Sequence, residues 1–203
     1  MMSKGLLIVL SGPSGVGKGT VCTALRKSNP DIVYSVSATT RSPREGEREG
    51  TNYFYKSQSQ FREMINHDEL LEWAEYVGNY YGTPRSFVNE TIHNGKDIIL
   101  EIEVQGALQV KERFPQGVFI FLLPPSLEEL KCRITNRGTE SEDSIRDRMN
   151  VAVEELKLLE KYDYAVVNDK ISSACSRIQA IITAEHSKRE RMLPQVQKWI
   201  AEV

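Results

Sequence analysis

A chain of 203 residues, 40% hydrophobic and 27% charged, is long enough for one α/β domain with a proper core and too short for two large ones. Its formal net charge of −2 leaves no bulk positive field to hold a nucleic acid or a membrane surface, so any anion must be held by a local site. Cys22, Cys132 and Cys175 lie far apart without metal-ligand spacing and suit reduced thiols packed as small core residues. The apolar run near the N-terminus is too short for a signal peptide or a membrane span, so a soluble cytoplasmic protein is expected.

Leu6-Leu7-Ile8-Val9-Leu10 reads as a buried strand, and Gly12-Pro13-Ser14-Gly15-Val16-Gly17-Lys18-Gly19-Thr20 follows it directly and opens an amphipathic segment. Strand, glycine-rich turn and helix in that order make a phosphate-binding loop. The glycines let the backbone turn so that successive N–H groups point inward, and the helix adds its positive dipole end. Gly12, Gly17 and Lys18 satisfy G-x-x-x-x-G-K, with Lys18 placed to reach the β- and γ-phosphates. The Ser or Thr that normally follows the lysine and holds Mg²⁺ is replaced by Gly19, and Thr20 stands one place late.

Val21, Cys22, Ala24 and Leu25 give the first helix an apolar face, and Pro30 forbids its continuation. Residues 32–36 alternate like a strand. The run from Ser37 to Gly50 is dense in arginine and hydroxyls, and Arg41 and Arg44 with a proline between them make a fork-shaped anion receptor. On these residues alone, a solvated charged loop is the plainer reading. Tyr53-Phe54-Tyr55 reads as a short strand, and Ser57 with Gln60 as a capping box before a helix that turns Phe61, Met64 and Ile65 to one side. A strand over 70–77, a turn at Gly78-Asn79 and a returning strand complete a small β-rich insert over 37–83. Pro84 opens a helix running to Asn94-Gly95.

The apolar run from Ile98 ends in Glu101 and Glu103, which at i and i+2 share one face of a strand at its C-terminal end, where ligands of parallel sheets bind. A helix follows Val104, and residues 118–123 are the most hydrophobic strand. Ser126 and Glu129 make a second capping box on a helix that ends at Gly138. Ser141 caps the next helix, with an apolar stripe at Val151, Val153, Leu156 and Leu159. A last strand over 164–167 leads to Asn168-Asp169 and two helices, the final one peripheral. His67, His93 and His186 have no nucleophile or carboxylate partner in this reading, and Trp73 belongs to the insert's core. Strands alternating with helices outside 37–83 give an α/β fold, a three-layer parallel sheet with the phosphate loop on its first strand.

No Asn-Lys-x-Asp guanine-reading run occurs, which favours ATP over GTP as the triphosphate and leaves a phosphoryl transferase or an ATPase. The Arg41/Arg44 loop decides between them, since a second anion receptor is needed only if a second phosphate is held in line with the first. Tyr53 and Tyr81 supply phenolic donors to that phosphate, and Glu72 suits the adjacent N–H and NH₂ groups of a guanine edge.

Gly-Pro-Ser-Gly-Val-Gly-Lys18, Ser37-Ala-Thr-Thr-Arg41-Ser-Pro-Arg44-x-Gly-Glu47, Asn79-Tyr80-Tyr81-Gly82-Thr83 and Arg137-Gly-Thr-Glu, in this order, resemble the guanylate kinase family, from about residue 5 to about 185. The resemblance implies ATP plus GMP giving ADP plus GDP, with Mg²⁺. It implies that Arg41, Arg44, Tyr53 and Tyr81 hold the GMP phosphate with Ser37, and that Glu72 and Thr83 read the guanine. Glu101 and Glu103 stand where the resemblance leads one to expect aspartates, which implies contact with guanine or Mg²⁺-bound water, a purely structural Glu103 being an equal reading. Arg137 and Arg148 close over ATP on a helical lid over 126–157, and Asn168 and Asp169 stand on the adenine side. The core is then 1–36, 84–125 and 158–203. Lys18, Arg41, Arg137 and Arg148 are the catalytic cations, and no general base is essential. Two rivals remain: a phosphopeptide-binding module on the same fold, and a kinase of another phosphate acceptor such as AMP or a sugar phosphate. Nothing in the sequence speaks to an oligomeric state.

Overall fold

The run that precedes the phosphate loop is buried along its whole length as β1 (Leu7–Ser11), the environment of a central strand covered on both faces. The computed structural model describes residues 4–135 and 142–202. After β1 come α1 (Lys18–Ser28), β2 (Val33–Tyr34), β3 (Ala38–Thr39), β4 (Phe54–Tyr55), α2 (Gln58–Asn66), β5 (Leu70–Tyr76), β6 (Asn79–Pro84) and α3 (Arg85–His93). Then follow β7 (Ile98–Glu101), α4 (Val104–Arg113), β8 (Val118–Leu123), α5 (Leu127–Thr135), α6 (Glu142–Leu156), a 3₁₀ turn (Lys157–Lys161), β9 (Tyr164–Val167), α7 (Ile171–His186) and α8 (Arg189–Ala201).

Five strands pair in the order β2-β7-β1-β8-β9, every neighbour parallel. The two-residue period of β1 sends Ile8 and Leu10 to one face, under Val21 and Leu25 of α1 and Ile178 and Ile182 of α7. It sends Leu7 and Val9 to the other, under Val88 of α3 and Val110 of α4. These are the three expected layers. A second sheet, in the order β4-β3-β6-β5, packs Ala38, Leu70 and Phe61 of α2 into a small core of its own, with Trp73 against it. The β5–β6 hairpin turns through Val77 and Gly78, both at positive φ (49° and 71°). At α2 the capping box is complete, with Ser57 Oγ accepting from the Gln60 N–H and Gln60 Oε1 from the Ser57 N–H. Two side chains of α4 tie the second sheet to the first. The Gln109 amide exchanges hydrogen bonds with the Trp73 backbone, and Arg113 donates to the carbonyls of Leu70 and Leu71.

Several expectations need correction. β2 is two residues long, because the chain leaves the sheet edge after Tyr34 to enter the second sheet. Pro84 ends β6 and caps α3, which starts at Arg85. At α5 half of the capping box forms: Ser126 Oγ accepts from the Glu129 N–H, while the Glu129 carboxylate turns to Arg133. The α6 stripe is misassigned, since Val151 and Val153 are exposed and Ile145, Met149 and Ala152 face Leu130 and Ile134 of α5. Cys22 is buried, but Cys175 is only half-buried and Cys132 is exposed. His186 does have a carboxylate partner, its Nε2 lying 2.8 Å from Asp97, which also accepts from the Leu6 N–H. The expected end of α5 at Gly138 and the Ser141 cap lie outside the described residues. α8 buries none of its residues, in keeping with a peripheral helix. Among the described residues no helix is long and apolar enough to cross a membrane.

Candidate active site

The turn from β1 to α1 depends on glycine at two points. Gly12 has φ 148° and a Cβ there would clash with the Leu122 carbonyl oxygen, while Gly17 has φ 98° and a Cβ would meet Asn168 Nδ2 at 2.7 Å. Lys18 is buried and curls back along the loop, its Nζ donating to the Gly12 carbonyl at 2.7 Å and to Glu103 Oε2 at 2.9 Å. Behind the loop, Asn168 Nδ2 and Arg133 Nη1 both donate to the Val16 carbonyl, and Val16 itself is buried in the core. Asn168 is therefore packed against the loop, and Asp169 beside it accepts from Arg177 and its own neighbour's N–H. Gly19 and Thr20 are exposed on the first turn of α1.

Glu101 and Glu103 both reach this end of the sheet, but not from one strand face. β7 stops at Glu101, and Glu103 is the N-cap residue of α4. Glu103 meets Lys18, whereas Glu101 lies against Gly19 and faces the buried Cys22 thiol. Partial desolvation raises the Glu101 carboxyl above its usual range, against the pull of Cys22 and Lys18. From above, α6 brings Arg148, whose Nη2 donates to Ser14 Oγ at 2.8 Å. Two turns further along the same helix face, Glu155 approaches the Ser14 N–H near Lys18 and Glu103, and burial raises its carboxyl. Arg137 lies outside the described residues.

The second sheet carries the arginine-rich loop. Arg41 Nη2 makes a two-pronged contact with Glu47, at 2.9 and 3.0 Å, and its guanidinium stands 5.4 Å from the centre of the Tyr53 ring and faces the Tyr81 hydroxyl. Glu47 also accepts from the Arg44 N–H and the Tyr55 hydroxyl. Arg41 first, and the Arg44 N–H second, hold its carboxyl down at about 2. Arg41 and Glu47 are thus an ordered, largely covered pair within a run whose other residues, 42–46 and 48–50, are exposed. The Arg44 residue is exposed beside it.

Glu72 on β5 is buried, 7% exposed, and Thr83 on β6, fully buried, donates its hydroxyl to Glu72 Oε1 at 2.7 Å. Burial raises the Glu72 carboxyl and outweighs the hydroxyl and N–H of Thr83, which favour the charge. The carboxylate abuts α4 at Gly106, where a Cβ would stand 3.1 Å from Oε2. Between the two sheets opens a cleft of about 330 Å³, lined by Ser37, Tyr53, Thr83, Glu101, Tyr34 and Asn52 among others. Of the expected residues, Ser37, Tyr53 and Thr83 thus share this cleft with Glu101, Arg41 stands beside Tyr53 and Tyr81, Glu72 pairs with Thr83, and the phosphate loop meets Arg148 and Glu103. Glu47, Gly106, Gln109, Arg113, Arg133 and Glu155 were not singled out as site residues from the sequence; only the R-x-x-R-x-G-E spacing flagged one of them, Glu47.

A profile of the family described as "Guanylate kinase" matches residues 4–185. A guanylate kinase of Halalkalibacterium halodurans is 69% identical over 190 residues, 94% of this chain and 93% of the relative. One of Bacillus subtilis is 57% identical over 201 residues, 98% of each. The crystal structure of guanylate kinase from Anaplasma phagocytophilum superposes with a TM-score of 0.72 at 35% identity, covering 94% of this chain and 91% of that one.

Proposed function

This chain belongs to the guanylate kinase family, and we propose that its two sheets divide between them the ATP-dependent phosphorylation of GMP, the reaction of this phosphotransferase. The five-stranded sheet holds the donor. Backbone N–H groups over Gly12–Thr20 and the start of α1 take the ATP phosphates, and Lys18 swings from the Gly12 carbonyl and Glu103 to the β- and γ-phosphates. The four-stranded sheet holds the acceptor: Arg41, Arg44, Tyr53 and Tyr81, with Ser37, bind the GMP phosphate, and Glu72 with Thr83 takes the guanine edge. Asn168 acts on the nucleotide through the loop it braces, with Asp169 at the rim.

The observation that carries this reading is the second anion receptor. Arg41 is already fixed by Glu47 and framed by Tyr53 and Tyr81, so its ordering cost is met before a ligand arrives. Hydrolysis by water needs no such corner. Phosphoryl transfer is chiefly positioning and charge neutralisation, so the catalytic residues are cations: Lys18, Arg41, Arg148 and, outside the described residues, Arg137. A Mg²⁺ ion accompanying ATP fits the hard carboxylate oxygens of Glu101 and Glu103 at the strand end, and when bound it neutralises phosphate charge. Closure of the 37–83 insert and the 126–157 lid over the core excludes water from the γ-phosphate. The reaction belongs in the cytoplasm, with the nucleotide pool it draws on.

Steady-state kinetics of Arg41→Met and Lys18→Met test the division. Each loses about 10³-fold in kcat/KM while its circular dichroism is unchanged, on the scale of lost phosphate contacts. Losses below about tenfold in both contradict the assignment.

A further inference from the structure

The carboxylate that takes the guanine edge sits at a break in its own strand. β5 pairs with β6 at Leu70↔Pro84 and again at Trp73↔Gly82, three residues against two, so Leu71 and Glu72 lie in a β-bulge. The side chains follow the same break. Leu70 and Trp73 both pack into the small core of the second sheet, although residues three apart on a regular strand face opposite ways, and Leu71 turns into the main core. A bulge re-aims a side chain, but the interrupted ladder gives up part of the hydrogen bonding that would fix it.

The missing support comes from across the sheet edge. β5 is the outer strand of its sheet, and three residues of α4, at spacings of three and four, meet it there. On one side of Glu72, Arg113 Nη1 donates to the Leu70 carbonyl at 2.9 Å and to the Leu71 carbonyl at 3.3 Å. On the other, Gln109 Oε1 accepts from the Trp73 N–H at 3.2 Å and Gln109 Nε2 donates to the Trp73 carbonyl at 3.3 Å, as a neighbouring strand would. Gly106 leaves space for the carboxylate itself, a Cβ there standing 3.1 Å from Glu72 Oε2. We infer that Gln109 and Arg113 are positioning residues for guanine selection: they pin both ends of the β5 bulge to α4, so that Glu72 presents its carboxylate to the base from a fixed place. The N-cap residue of the same helix, Glu103, meets Lys18 at 2.9 Å, so one element spaces the guanine reader from the phosphate loop. Arg113 adds charge to geometry. Facing Glu72 are the Thr83 hydroxyl and N–H from β6 and the Arg113 guanidinium from α4, and each favours the ionised carboxyl against the burial that raises it. Asp68, 3.9 Å from Arg113 Nε, is already engaged by Arg85 at 2.8 Å.

The inference rests on the reading of Glu72 as the guanine acceptor, and the two fail separately. KM for GMP, KM for ATP and the preference for GMP over AMP are measured from about pH 5 to about pH 8 in folded parent, Glu72→Gln, Gln109→Met, Arg113→Lys and Arg113→Met. The preference isolates the base site, because the titration of the shared nucleotide phosphate cancels in it. Gln109→Met removes two hydrogen bonds and no charge: KM for GMP rises and the preference falls, each by about tenfold, while KM for ATP and the pH at which the preference declines stay as in the parent. Arg113→Met has the same effects and also moves that decline to higher pH, since Glu72 loses a charge that favours its ionised form. Arg113→Lys keeps the decline in place but not the low KM, because the shorter side chain does not reach both carbonyls. Gln109→Met carries the test should Arg113→Met fail to fold. If Glu72→Gln leaves KM for GMP and the preference unmoved, the guanine reading falls. If Glu72→Gln moves them while the α4 variants stay within about twofold of the parent, or raise KM for ATP as much as KM for GMP, the positioning role falls. An unshifted decline in Arg113→Met overturns its electrostatic part.

Discussion

Replacing Thr83 by valine keeps the volume of a fully buried side chain and removes one group, the hydroxyl that donates to Glu72 Oε1 at 2.7 Å. The carboxylate keeps the Thr83 N–H but loses a charge-assisted bond in a site that is 7% exposed, where water does not replace it. A hydrogen bond to a buried charge contributes about 1.5–3 kcal/mol, so at about pH 8 the variant is less stable by about 2 kcal/mol. For a chain of this length that lowers Tm by about 4–8 °C. Burial has already raised the Glu72 carboxyl above its unfolded value, and removing a bond that favours the charge raises it further. The deficit is therefore full above that raised value and shrinks as pH falls through it, once Glu72 is protonated in both proteins. Thermal unfolding followed by circular dichroism from about pH 8 to about pH 5 measures this, and the same preparation gives KM for GMP, which rises. A Tm within about 1 °C of the parent at the alkaline end, or a deficit that grows as pH falls, refutes the reasoning.

Gly106→Ala places a methyl carbon 3.1 Å from Glu72 Oε2 and must shift the carboxylate. Alanine favours the α4 helix by up to about 1 kcal/mol, so Tm holds or rises while KM for GMP increases by about tenfold; an unchanged KM removes Gly106 from the guanine site. Glu47→Gln leaves Arg41 without its ionic partner and raises KM for GMP by about tenfold with KM for ATP unmoved, read from paired titrations. In the parent, Glu47 is depressed to about 2, so the contribution of this pair is complete above the ordinary carboxylate range and is lost only as pH falls through about 2. An acid limb in GMP binding that disappears in Glu47→Gln at mildly acidic pH contradicts that.

What could be read from the residues alone was whatever is local. The loop from Gly12 to Thr20 is a contiguous pattern with a strand before it and a helix after, and the Ser57/Gln60 box is a four-residue hydrogen-bond circuit. Errors arose where a contact between distant segments decides. Val151 and Val153, two apart, fall on opposite sides of a 3.6-residue helix, and the face that meets α5 is Ile145, Met149 and Ala152, at spacings of four and three. A small alanine carries little hydrophobic signal, yet Ala152 is fully buried against Leu130 and Ile134. Glu103 looked like a strand residue because the alternation continues through it, but α4 begins at Val104 and ends the strand two residues sooner. Gly106, Gln109 and Arg113 form a second face of α4 at spacings of three and four, legible as a stripe but with no clue to its partner, β5. The neighbourhood of Gly19 and Glu101 belongs to the same class, since residues so far apart in sequence meet only through the β1–β7 pairing.

The most direct measurement is ADP release with ATP and Mg²⁺, offering GMP, AMP, CMP, UMP and water as acceptors in parallel, for the parent and for Glu72→Gln. Fast turnover with GMP alone in the parent, and a GMP preference over AMP that collapses by up to about 10⁴-fold in the variant, is the predicted result. Equal turnover with several acceptors, or a preference untouched by Glu72→Gln, contradicts the account of guanine selection on the second sheet.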